Sequence, residues 1–173
     1  MALSETIRLP RSIAQRLRRE AEKQGMGLEE YLVELVAQGL DPPERALEYI
    51  EAARELLEQA CEELKRGDVR QAAEKAWGAA ALAVKAYAAW REGKRLTSHG
   101  ELWRYTLVLR KELGEWVSNA WAHATAMHVC FYEGWCSKEH VEDAIEEIEK
   151  LVKTIEEKIE KNRAKTSQDS SSA

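Results

Sequence analysis

NAWAHATAMHVCFYEGWC, residues 119–136, is the stretch whose reading decides the fold. From Ala120 to Tyr132 it holds no Asp, Glu, Lys or Arg, in a chain that is 33% charged. It gathers two of the four histidines, two of the three cysteines and two of the six tryptophans. It reads as a helix that is apolar on more than one face. A surface helix of a small bundle keeps one polar side, so this one is expected to be covered twice, by its own bundle and by a partner. His128 shares a stripe with Val117, Trp121, Ala124, Phe131 and Trp135. His123 lies on another, with Trp116, Ala120, Met127 and Cys130. Five residues turn a helix by about 140°, so the two histidines do not grip one metal. His128 and Tyr132 are one turn apart and share a face, and Glu133 is adjacent. With Lys85 or His99 from other helices they would form a polar pocket. The bland alternative is that both histidines are hydrogen-bonded core residues.

Outward from that stretch, composition favours helix. One Phe, three Pro and 45% hydrophobic residues accompany abundant Ala, Glu, Leu, Lys and Arg. The charged residues hint at a thermophilic source. The net charge of −5 excludes a general polyanion binder, so any nucleic-acid contact needs a local patch. Cys61, Cys130 and Cys136 show no CxxC spacing and read as reduced, in a cytoplasmic protein. The set Cys130, Glu133, Cys136 and His140 matches no standard zinc pattern. No metal and no cofactor are expected, and no segment is apolar and long enough for a membrane span.

Five helices are expected between Asp41 and about Lys161. Asp41 caps the first, running from Pro43 to about Arg66 with Ala46, Ile50, Ala53, Leu57, Ala60 and Leu64 at 4-3 spacing, a bundle seam. Asp68 and Gln71 form a capping box for the next, which ends at Gly93 and is rich in alanine. Ser98 and Glu101 open a third, closed by Gly114. The opening stretch follows, and the helices on either side of Gly114 would stack end to end. Ser137 caps the last, with Val141, Ile145, Ile148, Val152, Ile155 and Ile159 on its seam. Residues 162–173 are expected to be a disordered tail. Arg95, His99 and Arg104 are candidate anion or nucleotide ligands in and after the basic loop.

Residues 1–40 differ. Ser4 to Leu9 is the only plausible strand, stopped by Pro10. A helix follows over about Arg11 to Lys23, then Gly25-Met26-Gly27, then a helix from about Leu28 with Tyr31, Leu32, Leu35 and Val36 facing inward. A lone strand cannot satisfy its own backbone groups, so a second copy is the natural partner. The pattern resembles the ribbon-helix-helix family of DNA-binding dimers. That resemblance implies that Ser4, Thr6 and Arg8 face the major groove, with Arg11 nearby, and that the N–H groups near Leu28 meet a phosphate. Arg8, Arg11, Arg16, Arg18, Arg19 and Lys23, against Glu5, Glu20 and Glu22, make this arm locally basic.

Three further segments carry a second resemblance. RQAAEKAWGAAALAVKAYA, SHGELWRY and MHVCFYEGW resemble the archaeal PaREP family of the HEPN superfamily, small helical dimers associated with nucleotides and RNA. The resemblance implies an up-and-down HEPN-like bundle over residues 41–161. Active HEPN ribonucleases carry an Arg, then four to six residues, then a His. Here His128 matches the His, but Trp121, Ala122 and His123 stand where the Arg belongs.

The resulting expectation is a mostly α homodimer in which a ribbon-helix-helix arm binds DNA. A largely non-catalytic bundle would make a second contact through Ala120 to Tyr132. By resemblance it would be an antitoxin or mobile-element defence regulator, with a toxin or nucleotidyltransferase as a possible partner. One alternative is a metal-independent ribonuclease using His128, with His123, Tyr132 and Glu133 assisting. Another is a nucleotide- or small-ligand-binding module whose arm only dimerises, with RNA or nucleotide at the bundle.

Overall fold

The computed structural model describes residues 4–171 and contains seven helices among them. They are α1 (Arg11–Lys23), α2 (Leu28–Ala37), α3 (Pro42–Arg66), α4 (Val69–Glu92), α5 (His99–Leu113), α6 (Trp116–Glu133) and α7 (Lys138–Ser171). Local chemistry sets their ends. The Asp41 carboxylate accepts from the Glu44 N–H at 3.0 Å, and Asp68 accepts from the Gln71 N–H at 3.0 Å. Ser98 and Glu101 complete a reciprocal capping box. Gly134 ends α6 at φ +69°, a left-handed conformation that a side chain would strain.

No strand occurs among the described residues. Residues 4–10 have no regular secondary structure, so the strand expected over Ser4–Leu9 is not formed in the single chain. A strand exists only through bonds to a neighbour, and the single chain offers none.

The centre of the bundle is α4. Every residue from Lys75 to Ala89 is buried, whichever face it occupies. Alanine makes this possible: small side chains let α3, α6 and α7 approach α4 from different sides. The helix expected to be covered twice, α6, is covered by its own bundle on one side only. Val117, Ala120, Trp121, Ala124, Met127 and Cys130 are buried, while Ser118, Asn119, Ala122, Val129 and Tyr132 are exposed. The single chain covers one side of α6 and leaves the other open.

Two more expectations change. The α5 and α6 helices do not stack end to end. They lie side by side, with His99 against His128 and Trp103 against Trp121, because the chain reverses at Gly114, where φ is +118°. The tail expected to be disordered from residue 162 continues α7 to Ser171, with every side chain from Asn162 to Ser171 exposed; the last two residues lie outside the described ones. The tail extends a helix already nucleated by the seam from Val141 to Ile159, each residue added at little cost.

Candidate functional site at the junction of arm and bundle

The α2 helix joins α1 to the bundle, and it does so with the face opposite to the one expected. Glu30, Glu34 and Ala37 are buried, at the i, i+4, i+7 positions of one stripe. Leu32, Leu35 and Val36 are exposed, and Tyr31 is half-buried. The reason is charge. Lys85 stands in the middle of the apolar helix α4 with 1% of its side chain exposed, and a buried ammonium requires counter-ions. Glu30 meets Lys85 Nζ at 3.2 Å and Glu34 meets it at 2.9 Å. The Tyr49 hydroxyl donates to Glu34 Oε1 at 3.0 Å, and Arg95 Nη2 reaches Glu34 Oε2 at 3.2 Å. Lys75, also buried, holds Glu29 at 2.6 Å and Gln59 at 2.9 Å. Two cations, Lys85 and Arg95, and two carboxylates, Glu30 and Glu34, from α2, α4 and the loop before α5 thus form one network, and Lys75–Glu29 is a separate pair.

The two carboxylates of this network are not equivalent. Burial raises the Glu30 carboxyl above its usual range, and Lys85 only partly offsets this. One oxygen of Glu30, Oε2, is buried without a hydrogen-bond partner. Burial also acts against the Glu34 charge. There Lys85, Tyr49 and Arg95 outweigh it and hold the carboxyl below the usual range. Lys85 itself is raised, because Glu30 and Glu34 outweigh its desolvation.

Beside the network lies a cluster of rings. Trp77 of α4, His99 at the start of α5, and His128 and Tyr132 of α6 contact one another. Centroids are 4.7 Å apart for Trp77–His128, 4.8 Å for His99–His128 and 5.2 Å for His128–Tyr132. Burial, with a smaller contribution from the charge of His99, pushes His128 down to about 4. It is therefore neutral at physiological pH. The Gly25-Met26-Gly27 turn closes over this cluster. Gly25 has φ +65°, and a Cβ there would lie 2.7 Å from His99 Cε1. A Cβ on Gly27 would lie 3.0 Å from Glu74 Oε1. The start of α2 thus faces the bundle, with the Glu74 carboxylate against it.

The fold brings some of the candidate residues together and separates others. His128, Tyr132 and His99 come together. His123 does not join them: its Nδ1 is buried without a partner on a different stripe of α6. Glu133 is exposed at the end of α6. Arg95 is engaged by Glu34, whereas Arg104 is exposed one turn beyond Gly100. Ser4, Thr6, Arg8 and Arg11 are all exposed, and Leu28 lines a cleft of about 340 Å³ between arm and bundle.

The reading of reduced cysteines is corrected: Cys130 and Cys136 are joined as a disulfide, and Cys61 is free. The left-handed turn at Gly134 brings their Cα atoms to 5.6 Å, within bridging range. His140 accepts the Ser137 N–H at 3.0 Å, a local cap at the start of α7. No cluster of three metal-ligating side chains occurs among the described residues, and no helix among them is long and apolar enough to cross a membrane.

Sequence reasoning missed the network of Glu30, Glu34, Tyr49, Lys85 and Arg95. The readable signal was Lys85 inside the run Ala79 to Ala89, since a charge there demands a partner of opposite sign.

No curated protein and no solved structure matches the chain. One family model does, over residues 48–152, which takes in Lys85, Arg95, His99, His128 and Tyr132 but leaves the arm outside. That match spans more than half of the sequence, from α3 into α7, and on it the chain belongs to the archaeal PaREP1/PaREP8 family.

Proposed function

We propose that the protein is a homodimeric DNA-binding regulator whose N-terminal arm, residues 1–40, pairs with a second copy. The bundle of residues 41–161 serves as a HEPN-like, non-catalytic body. One observation carries this proposal: six large apolar side chains of the arm are exposed, while only Ala21, Met26 and Ala37 are buried among its apolar residues. Ile7 is 77% exposed and Val36 60%, and Leu9, Ile13, Leu32 and Leu35 are exposed with them. A solvated arm has no use for such a face, and a second copy would cover it. Burying a side chain of this size stabilises by about 1.5–3 kcal/mol. Pairing would also satisfy residues 4–9, which make no backbone hydrogen bond among the described residues. Arg8, Arg11, Arg16 and Arg18 make no ion pair among the described residues and are exposed, as phosphate-contacting side chains need to be. The open side of α6 offers a second contact on the same two-fold axis. An antitoxin or mobile-element defence role in the cytoplasm, with a toxin or nucleotidyltransferase as partner, is supported by resemblance.

Gel-shift assays on genomic fragments test this. Wild type binds a subset of fragments, and Arg8→Ala and Thr6→Ala weaken that binding at least tenfold. Equal, weak binding of all DNA by wild type and variants overturns it. The contact of His99 with His128 and Tyr132 supports one rival, a metal-independent ribonuclease. Against it, the nearest motif-type cation is missing, and Arg70 is occupied with the Phe131 carbonyl at 2.9 and 2.6 Å. RNA cleavage abolished by His128→Ala would favour that rival, and cleavage that survives would remove it.

A further inference from the structure

The cleft between arm and bundle is walled by four helices: α1 and α2 on the arm side, α4 and α6 on the bundle side. Its volume of about 340 Å³ falls in the range of small-ligand sites. Phe131 and Tyr132 give it an aromatic wall, and Glu22, Glu29 and Glu74 give it carboxylates from three different elements. Arg18 is the one cation in the lining. Glu29 has a partner in Lys75, which Gln59 also engages. Glu74, half-buried, has no hydrogen-bond or ion-pair partner among the described residues. The Phe131 ring already holds a guanidinium, that of Arg70, 5.7 Å from its centroid.

We propose that this cleft binds a small organic cation, an ammonium or guanidinium group on an apolar stem, between Glu74 and the Tyr132 ring. The groups present match both halves of such a ligand. A desolvated carboxylate lacking a counter-ion takes the N–H donors, and the aromatic wall takes the stem and the diffuse charge. The field around Glu74 is set by burial first, and then by the negative charges of Glu29 and Glu30, with Lys75 opposing. These push its carboxyl up to about 7. Glu30 adds negative potential from behind, and the same potential acts on Tyr132. A bound cation relieves that repulsion. An anion or a nucleotide phosphate would add to it, so the cleft is not the nucleotide site that Arg95 and Arg104 suggest. The ligand would touch α1, α2, α4 and α6 at once and would thereby fix the arm on the bundle. This site does not depend on DNA binding.

Isothermal titration of the full chain with spermidine and with agmatine, in 150 mM KCl, tests the proposal. A cation favours the ionised form of Glu74, so binding at pH 7 releases up to about half a proton. Two buffers of different ionisation enthalpy measure that release. Affinity weakens by at least about tenfold, and up to about thirtyfold, from pH 8 to pH 5.5, as protonation of Glu74 removes the counter-charge. Glu74→Gln removes both the proton release and the pH dependence, and Tyr132→Ala weakens binding while leaving the proton release intact. Absence of binding by the wild type at pH 8 overturns the proposal. So does an unchanged affinity and pH profile in a folded Glu74→Gln protein, which would mark diffuse attraction to an acidic surface.

Discussion

Lys85 is the residue on which the arm depends, and substitutions around it should be unequal. Lys85→Met leaves Glu30 and Glu34 buried without their shared cation, and breaking a buried pair from one side costs about 3–5 kcal/mol. Glu30→Gln should cost less than about 1 kcal/mol. Its carboxyl is raised, so the folded chain binds that proton more tightly than the unfolded chain does. The Glu30 contribution is therefore most favourable in acid and declines as pH rises through its folded value. Urea unfolding of both variants at pH 7 checks the contrast. If Lys85→Met unfolds at the wild-type midpoint, the network is not holding the arm. His128 behaves oppositely. Its folded value of about 4 lies below the unfolded value, so its contribution is full above about 6.5 and is lost as pH falls toward 4. Proton NMR of the imidazole resonances should show one histidine titrating near 4, and His128→Gln should remove that titration.

At the scale of the element, helix ends were legible because capping is local. Asp41, Asp68 and Ser98 open the helices expected of them. The face of α2 was not legible. Its apolar residues argue for burial by periodicity, and only the distant Lys85 reverses the choice. The grouping of His128 with Tyr132 was readable from i, i+4 spacing, while the approach of His99 needed the α5–α6 hairpin. The disulfide was hidden because a separation of six residues is a bridging distance only once Gly134 turns the chain. Two substitutions probe these elements. Gly25→Ala introduces a Cβ 2.7 Å from His99 Cε1 at a φ of +65°, and should destabilise the arm by at least about 1 kcal/mol. Hydrogen exchange would show it as faster exchange confined to α1 and α2. Exchange unchanged there would mean that the turn does not rest on His99. Reduction of Cys130–Cys136 should lower stability by about 2 kcal/mol through the short loop it closes, read as a lower unfolding midpoint in dithiothreitol.

For the whole molecule, the chain has two kinds of surface in two places. The arm meets the bundle through buried charge and presents its apolar side outward. The bundle has a closed core around α4 and an open side on α6. In the proposed DNA-binding dimer this outward apolar side of the arm is half of an interface that a second copy completes. Sedimentation equilibrium of the full chain and of Leu32→Glu/Val36→Glu, from 1 to 50 µM, tests this most directly. The wild type should sediment at twice the 19.7 kDa chain mass, and the variant should dimerise at least tenfold more weakly while keeping its helical circular dichroism. A monomeric wild type, or a dimer indifferent to charges placed on that face, would contradict it.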